Sequence, residues 1–400
     1  MLIIGRDLTL LVYFLILNNK SSIAITNSSD SLKNTKSVVL GGDHLTPITF
    51  SVTAVYYLKM TKMWDLIIFN EERQKYLYQR HMAKMKENEE RLKKNRGYRV
   101  SRSKENPITI YSVNGNMLIE CSIPCQFKIS ECSETADVIL SMTDSHDYQK
   151  KHSRQARAVI SLEPDLIDST DMLDKMDIII GFPKYAEIPI NYFYGMKGDK
   201  PMEELMGLNA EITLPVWPDY KSKAIASTFI SNCWAWQRNK YVEDLQAAGV
   251  TIDHFGGCTF GKQRASASNE KAKEQANYPF ILAFENSLKD DYFTEKYFQG
   301  LQTSKSIMIY LGSKRIEDYA PTNELYYIHA LDYSPIELAS YMNYLLENQE
   351  EFMKYLTWKK KGEILKSFKE LEKYDFTNTE KWICRTCEHY HKFYDFTENK

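Results

Sequence analysis

From Ile108 onward the chain alternates between two kinds of segment, and this alternation narrows its folds more than any other feature. ITIYSV, CQFKIS, ADVILSM, RAVISL and MDIIIGF are short β-rich runs separated by polar or helical stretches. Each is nearly continuously apolar, the pattern of a strand buried on both faces of a parallel sheet. A Pro-containing hinge, LPVWPDYKSK, follows at 214–223. A second series then begins, with AIASTFISN, TIDHFGG, YPFILAF, KSIMIYLG and LYYIHAL as strands. Helical spacing runs from Trp236 to Ala248, stopped by Gly249, from Thr294 to Thr303, and from Pro335 to Phe352 with proline in the first turn. Strand and helix alternate twice over, with a linker between. The expectation is the α/β class: two Rossmann-like domains facing across a cleft.

Length agrees. The 400 residues suit two to three domains at ~100–200 residues each. With 43% hydrophobic residues there is apolar material for two cores. The net charge of −2 provides no global field to recruit nucleic acid or acidic lipid, so any anion site must be local. Residues 46–215 are assigned to the first Rossmann-like domain, 216–375 to the second, and 376–400 to a C-terminal tail. Glu71 to Lys104, dense in Lys, Arg and Glu, reads as a solvated helix.

The N-terminus carries an uninterrupted apolar run, Leu8 to Leu17, behind Arg6. It is short for a spanning helix, which needs ~20 residues, and fits a secretory signal peptide or a short signal anchor over residues 1–20. Residues 21–45, rich in Ser, Asn, Thr and Lys, read as a stem. Asn27-Ser28-Ser29 within it is an acceptor sequon for N-glycosylation.

Four of the seven cysteines are grouped as Cys121/Cys125 and Cys384/Cys387. Short local disulfides in an oxidising lumen fit this grouping. A zinc site built from the two pairs, or buried reduced thiols, are the rival readings.

The chemistry concentrates after YPFILAF. Ligands in open α/β sheets bind beyond the carboxyl ends of strands, so Glu285, Asn286 and Ser287 are expected on the binding edge. Asp291 or Thr294 can cap a following helix, whose free N–H groups suit phosphate. Lys296 adds a positive charge there, and Glu295 can accept two hydroxyl hydrogen bonds, as a ribose offers. These are parts of a nucleotide-diphosphate site without a glycine-rich loop.

The run FENSLKDDYFTEK, Phe284 to Lys296, resembles the signature of the α1,3-fucosyltransferases, glycosyltransferase family 10. FISNCWAWQR, IDHFGGC and IEDYAP extend the resemblance, as do CSIPCQF, ADVILSM, ISLEP and IPINYFYG in the first half; together they cover roughly residues 107–390. Several segments are most similar to the branch that fucosylates the N-glycan core. The resemblance implies a GT-B fold in which residues 46–215 bind the acceptor and residues 216–375 bind GDP-fucose, with a donor site formed by Arg238, Asn286, Tyr292, Glu295 and Lys296. Arg238 would neutralise the diphosphate, Lys296 would contact the phosphates and Glu295 the ribose. Glu163, in ISLEP, matches the candidate catalytic base. The implied reaction is an inverting displacement at the fucose anomeric carbon, with a glycoprotein N-glycan as acceptor. The implied location is the Golgi membrane, single-pass type II, with the catalytic part lumenal. No Asp-x-Asp metal motif stands out, and the resemblance implies at most Mn2+ or Mg2+ without protein ligands. Cys384 and Cys387 match a family cysteine pair that is disulfide-linked. A rival function is a silent member that binds glycan or nucleotide without transfer. The sequence departs from the family at Lys184-Tyr185-Ala186-Glu187, where Arg-Asp-x-Asp is frequent, and at Trp234 and Trp236, where smaller or polar residues are usual.

Overall fold

A computed structural model describes most of the chain from Thr61 to Thr397. Outside the described residues lie 96–98, 112–116, 120, 129–134, 142–149, 151, 165–169, 194–201, 209–219, 221, 259–273, 304 and 398–400, and most of the first 60. The apolar run Leu8 to Leu17, the sequon at Asn27 and the boundary between residues 215 and 216 therefore fall outside the described residues. Among the first 60, three strands are described by backbone: β1 (Ile23–Thr26), β2 (Thr35–Leu40) and β3 (Ile48–Ser51), an antiparallel sheet in that order. They belong to a compact unit spanning Met1–Ile68, and Phe69–Lys400 forms the other.

Within the larger unit, the first apolar series folds as expected. Its strands are β4 (Ile108–Tyr111), β5 (Met117–Ile119), β6 (Cys125–Lys128), β7 (Val138–Ser141), β8 (Ala156–Ser161), β9 (Ile178–Gly181) and β10 (Ile188–Pro189). They form one sheet in the order β10-β9-β8-β7-β4-β6-β5, parallel except where β5 pairs with β6. Every residue of β7 and β9 is buried, as continuous Val/Ile/Leu runs require when both faces are covered. The second series gives β11 (Ala226–Phe229), β12 (Ile252–Phe255), β13 (Phe280–Phe284), β14 (Ile307–Leu311) and β15 (Tyr327–His329). These form an all-parallel sheet in the order β12-β11-β13-β14-β15. Two Rossmann-like sheets in one chain is the GT-B plan.

The helices are α1 (Thr61–Lys94), α2 (Thr170–Lys175), α3 (Met202–Leu205), α4 (Trp236–Ala247), α5 (Glu295–Gly300), α6 (Pro335–Glu347), α7 (Gln349–Lys354), α8 (Thr357–Lys361), α9 (Lys366–Glu370) and α10 (Thr379–Phe393). α6 starts with a reciprocal capping box between Ser334 and Glu337 and carries proline in its first turn. α1 corrects the solvated-helix expectation along one face. Leu77 is buried in the core, and the buried Arg80 guanidinium bonds Glu187 Oε1 at 2.8 Å and the Met176 and Leu173 carbonyls. An arginine with its donors so paired can be buried where an unpaired charge could not.

The two sheets share a continuous core. Phe182, Tyr192 and Phe193 from the first half pack with Tyr292, Tyr297 and Phe298 from the second. Phe182 meets Tyr292 edge-on at 5.2 Å between ring centroids, and Phe193 meets Phe298 at 5.4 Å. At the C-terminus the chain returns to the first half. Trp382, Ile383, Cys387 and Tyr390 of α10 bury against β4, β6, β7 and β8.

There the local-bridge expectation is corrected. Cys121 is bonded to Cys384 and Cys125 to Cys387, with Cα–Cα distances of 5.3 and 6.2 Å. The reason is α10, which lies against β5 and β6 and brings its cysteine pair opposite the one at the start of β6. With all four sulfurs in disulfides, the zinc and reduced-thiol readings are also corrected. A third bridge, Cys233–Cys258, was not anticipated. Its signal was present: β11 and β12 are parallel neighbours with Phe229 opposite Phe255, so residues four and three beyond them emerge together.

Candidate active site

The signature run leaves the sheet at β13, whose five residues are all buried between β11 and β14. Glu285 prolongs the ladder by one hydrogen bond, its N–H donating to the Leu311 carbonyl at 2.7 Å. Its side chain does not emerge on the binding edge as expected. It is fully buried and accepts from the Thr294 backbone N–H at 2.8 Å and the Thr294 hydroxyl at 2.6 Å. Gly312 makes the room: a Cβ there would stand 2.3 Å from the Tyr310 hydroxyl and 2.9 Å from Glu285 Cγ. Thr294 is the N-cap of α5, its hydroxyl accepting from the Lys296 N–H. The helix is six residues long and its opening is already occupied by its own cap and Glu285, which alters the expectation of a bare phosphate-binding N-terminus.

Burial pushes the Glu285 carboxyl up to about 7, against the pull of Lys296 and with the help of Glu295. Burial opposes charge on Lys296, but the Glu285 and Glu295 carboxylates outweigh it and its pKa is raised. The ammonium donates to Glu295 Oε1 at 2.9 Å and to the Thr294 hydroxyl at 3.1 Å, and lies 3.8 Å from Glu285 Oε2. Lys296 therefore stays charged within a compensated cluster.

Arg238 sits in the first turn of α4 and is only 2% exposed. Its guanidinium donates to the Asn286 side-chain oxygen, the Asn232 carbonyl and the Asn239 side-chain oxygen. Burial lowers its pKa to about 10 although Glu285 favours the charged form. Arg238 and Asn286, far apart in sequence, are thus directly bonded.

Glu163 follows β8, in a turn fixed by its N–H donating to the Ser161 hydroxyl at 3.1 Å. Its carboxylate is exposed yet held by two phenols. Tyr192 donates to Oε1 at 3.1 Å and Tyr292 to Oε2 at 2.8 Å. Both tyrosine pKa values are raised, first by burial and then by nearby carboxylates, so both remain donors at neutral pH. Tyr292 belongs to the signature, and its ring lies in the core between the sheets. The candidate base of the first half and the signature of the second are therefore in direct contact. Tyr192, which completes this pair of donors, had no recognised role in the sequence; it lies in the quoted segment IPINYFYG, where spacing could not reveal its partner.

Asp291 adopts a left-handed backbone with φ of 64°, uncommon for a non-glycine residue. Its carboxylate accepts the Lys184 N–H at 3.0 Å and lies 4.0 Å from Arg315. The departing segment Lys184–Glu187 has clear structural partners: Lys184 Nζ pairs with Asp318 at 2.9 Å, and Glu187 takes Arg80. No group of three or more His, Cys, Asp or Glu suited to a metal occurs among the described residues. Nor is any described helix long and apolar enough to cross a membrane.

Residues 219–398 match the family model described as glycosyltransferase family 10 (fucosyltransferase), C-terminal. Over 173 residues the chain is 36% identical to a glycoprotein 3-alpha-L-fucosyltransferase A of Drosophila melanogaster, covering 42% of this chain and 31% of the relative. It is 29% identical over 193 residues to GDP-fucose protein O-fucosyltransferase 3 of Gallus gallus, covering 46% and 39%. The chain spans less than half the length of the curated relatives it matches. A solved structure of an alpha1,3-fucosyltransferase with GDP is similar at a TM-score of 0.43 and 17% identity, over 64% of this chain and 81% of that one.

Proposed function

We propose, on the premise that this chain carries the glycosyltransferase family 10 (fucosyltransferase) domain over residues 219–398, that it is an inverting α1,3-fucosyltransferase. The donor is GDP-β-L-fucose, and the acceptor is the 3-hydroxyl of an N-acetylglucosamine in the core of a glycoprotein N-glycan. One observation carries the reading: Glu163 is hydrogen-bonded to Tyr292 of the signature run. A base supplied by one sheet and a donor site supplied by the other must meet for direct displacement, and these two residues do.

In this mechanism Glu163 removes the proton from the acceptor hydroxyl as that oxygen attacks the anomeric carbon. The bond to the β-phosphate oxygen breaks, GDP departs, and the configuration inverts to α. Tyr192 and Tyr292 fix the carboxylate, and each of its oxygens keeps lone pairs for the acceptor. Ribose hydroxyls engage Glu295, which frees Lys296 to turn to the diphosphate. Arg238 stabilises the charge that grows on the leaving group, usually the largest catalytic contribution in such reactions. We place the reaction in the Golgi lumen, on a type II membrane protein. Three disulfides among the described residues, two of them spanning more than 260 residues, support an oxidising compartment.

A silent nucleotide- or glycan-binding protein is the second reading. It is favoured by the Lys296 ammonium, whose neighbours within the protein already compensate its charge. Incubating the purified full chain with GDP-fucose and a defined N-glycan core, read by mass spectrometry, separates the two. A gain of one fucose on the glycan supports transfer. GDP binding without transfer supports the silent reading, and fucose on a peptide hydroxyl instead would replace the acceptor assignment.

A further inference from the structure

Glu285 is fully buried behind the signature run, and what its carboxylate touches leads to Lys296. Thr294, also buried, stands between them. A hydroxyl has one hydrogen and two lone pairs, and in Thr294 all three are in use. The hydrogen goes to Glu285 Oε2 at 2.6 Å. The lone pairs take the Lys296 backbone N–H at 3.3 Å and the Lys296 ammonium at 3.1 Å. The ammonium also lies 3.8 Å from Glu285 Oε2. It is therefore tethered from within by a charged carboxylate and by the hydroxyl that serves that carboxylate. Lys296 itself is only partly buried, so the tether is what keeps its ammonium from reaching outward.

A proton on Glu285 rearranges these bonds. The carboxylic acid still accepts the Thr294 backbone N–H on Oε1, but it now donates its O–H to the Thr294 hydroxyl oxygen. Three donors then face two lone pairs. The Lys296 N–H is fixed by the first turn of α5, so the ammonium is the donor displaced. The ion pair at 3.8 Å disappears with the carboxylate charge. The charged and titratable groups facing the carboxyl are Lys296 and Glu295 of α5, Arg238 of α4, Tyr292 ahead of α5, Tyr310 of β14 and, from the first half, Tyr192. Burial raises all three phenols, which stay neutral. Lys296 is raised and Arg238 titrates at about 10, so both stay charged. Glu285, which burial brings to about 7, changes state in the neutral range. An arriving diphosphate adds negative charge near the carboxyl and engages the ammonium that favoured its charged form. Both effects favour the proton.

We propose that Glu285 is a positioning residue worked by a proton: on protonation its bond to Thr294 reverses and the Lys296 ammonium is released to a nucleoside diphosphate, so that proton uptake and donor binding favour each other. The inference rests on the donor site proposed above. Its test uses the full chain, wild type and Glu285→Gln. The probes are GDP and GDP-β-L-fucose, whose esterified diphosphate exchanges no proton of its own near neutral pH. Calorimetry at about pH 7.5 in buffers of unlike ionisation enthalpy counts the protons taken up. A rise of about one pKa unit in the carboxyl on binding gives wild type an uptake of about half a proton. By the same linkage its affinity for GDP-β-L-fucose falls about fivefold between about pH 6.5 and about pH 8.5. Glu285→Gln, fixed in the neutral form, should take up none, show a flat pH profile, and bind more tightly than wild type at the alkaline end. Damage to the fold alone would weaken binding at every pH. If Glu285→Gln does not fold, Thr294→Val takes its place: without the hydroxyl that favours the charged carboxylate, Glu285 is protonated before the ligand arrives and the uptake should fall away. No uptake by wild type, equal uptake by whichever variant folds, or no binding of either nucleotide overturns the inference. If fucose is transferred while donor affinity ignores pH, the proton coupling is wrong and the transferase reading stands. If the uptake is as expected and no fucose moves, the coupling stands and the transferase reading falls.

Discussion

Replacing Glu285 by glutamine tests the electrostatics of the site without assuming any activity. The side chain is fully buried, and burial raises its pKa from 4.5 to about 7. At ~1.36 kcal/mol per pKa unit, that shift corresponds to about 3 kcal/mol of stability linked to one proton. The sign follows from the raised folded pKa. The stabilising contribution is fully present below about 4.5, and it is lost as the pH rises through about 7. Wild type should therefore lose about 3 kcal/mol relative to Glu285→Gln between acid and mildly alkaline pH, by the same linkage. Glutamine is nearly isosteric and keeps an acceptor for Thr294, so the cap is preserved in part. The assay is urea unfolding of both proteins at intervals from acid to alkaline pH, compared as a difference so that other groups cancel. Parallel stability profiles across the whole range would show that Glu285 does not titrate in this way.

The division of labour at the site predicts that Glu163→Gln removes turnover while GDP affinity, read by calorimetry, stays nearly intact. Lys296→Ala should instead weaken GDP binding by about 1.5–3 kcal/mol, the scale of a charged hydrogen bond; equal losses of both properties in both variants contradict the assignment. Lys359 is fully buried, with its ammonium on the carbonyls of Met206, Leu301 and Thr303. Lys359→Met strands those acceptors and should cost about 3 kcal/mol or more in urea unfolding, at ~1–3 kcal/mol per buried unsatisfied group. The paired bridges Cys121–Cys384 and Cys125–Cys387 close nearly the same loop, with separations of 263 and 262 residues. Replacing the partly exposed pair Cys121 and Cys384 by serine should be mild while Cys125–Cys387 remains, whereas replacing that pair by serine and the buried pair by alanine together should cost about 2–5 kcal/mol or more as the full loop entropy returns; a loss that large from the first replacement alone in thermal unfolding would refute this.

β9, β13 and β14 were legible because their runs, IIIG, FILAF and IMIYL, are apolar throughout, as strands covered on both faces are. The signature residues were legible as a group because they occupy one loop and one helix start. What could not be read was direction and partner. YPFILAF identifies β13, yet nothing in the linear order says that Glu285 turns inward to Thr294 while Asn286 turns to Arg238. The meeting of Tyr292 with Glu163 depends on how two sheets pack, across 129 residues of separation. Cysteine spacing pointed to local loops because sequence proximity was the available guide; the actual pairing is set by α10 lying against β5 and β6. Lys359 gave no signal, since its acceptors are backbone carbonyls, which every sequence has.

The return of α10 to the first sheet has a consequence for biosynthesis. A ribosome releases β4 to β10 long before Trp382 and Tyr390, so the nascent first half must wait with one flank bare until α10 arrives. Its cross-links to Cys384 and Cys387 cannot form earlier, because those cysteines follow their partners by 263 and 262 residues. Truncation ahead of α10 would therefore leave the first sheet unfinished, and folding assistance would be needed most before that helix is made.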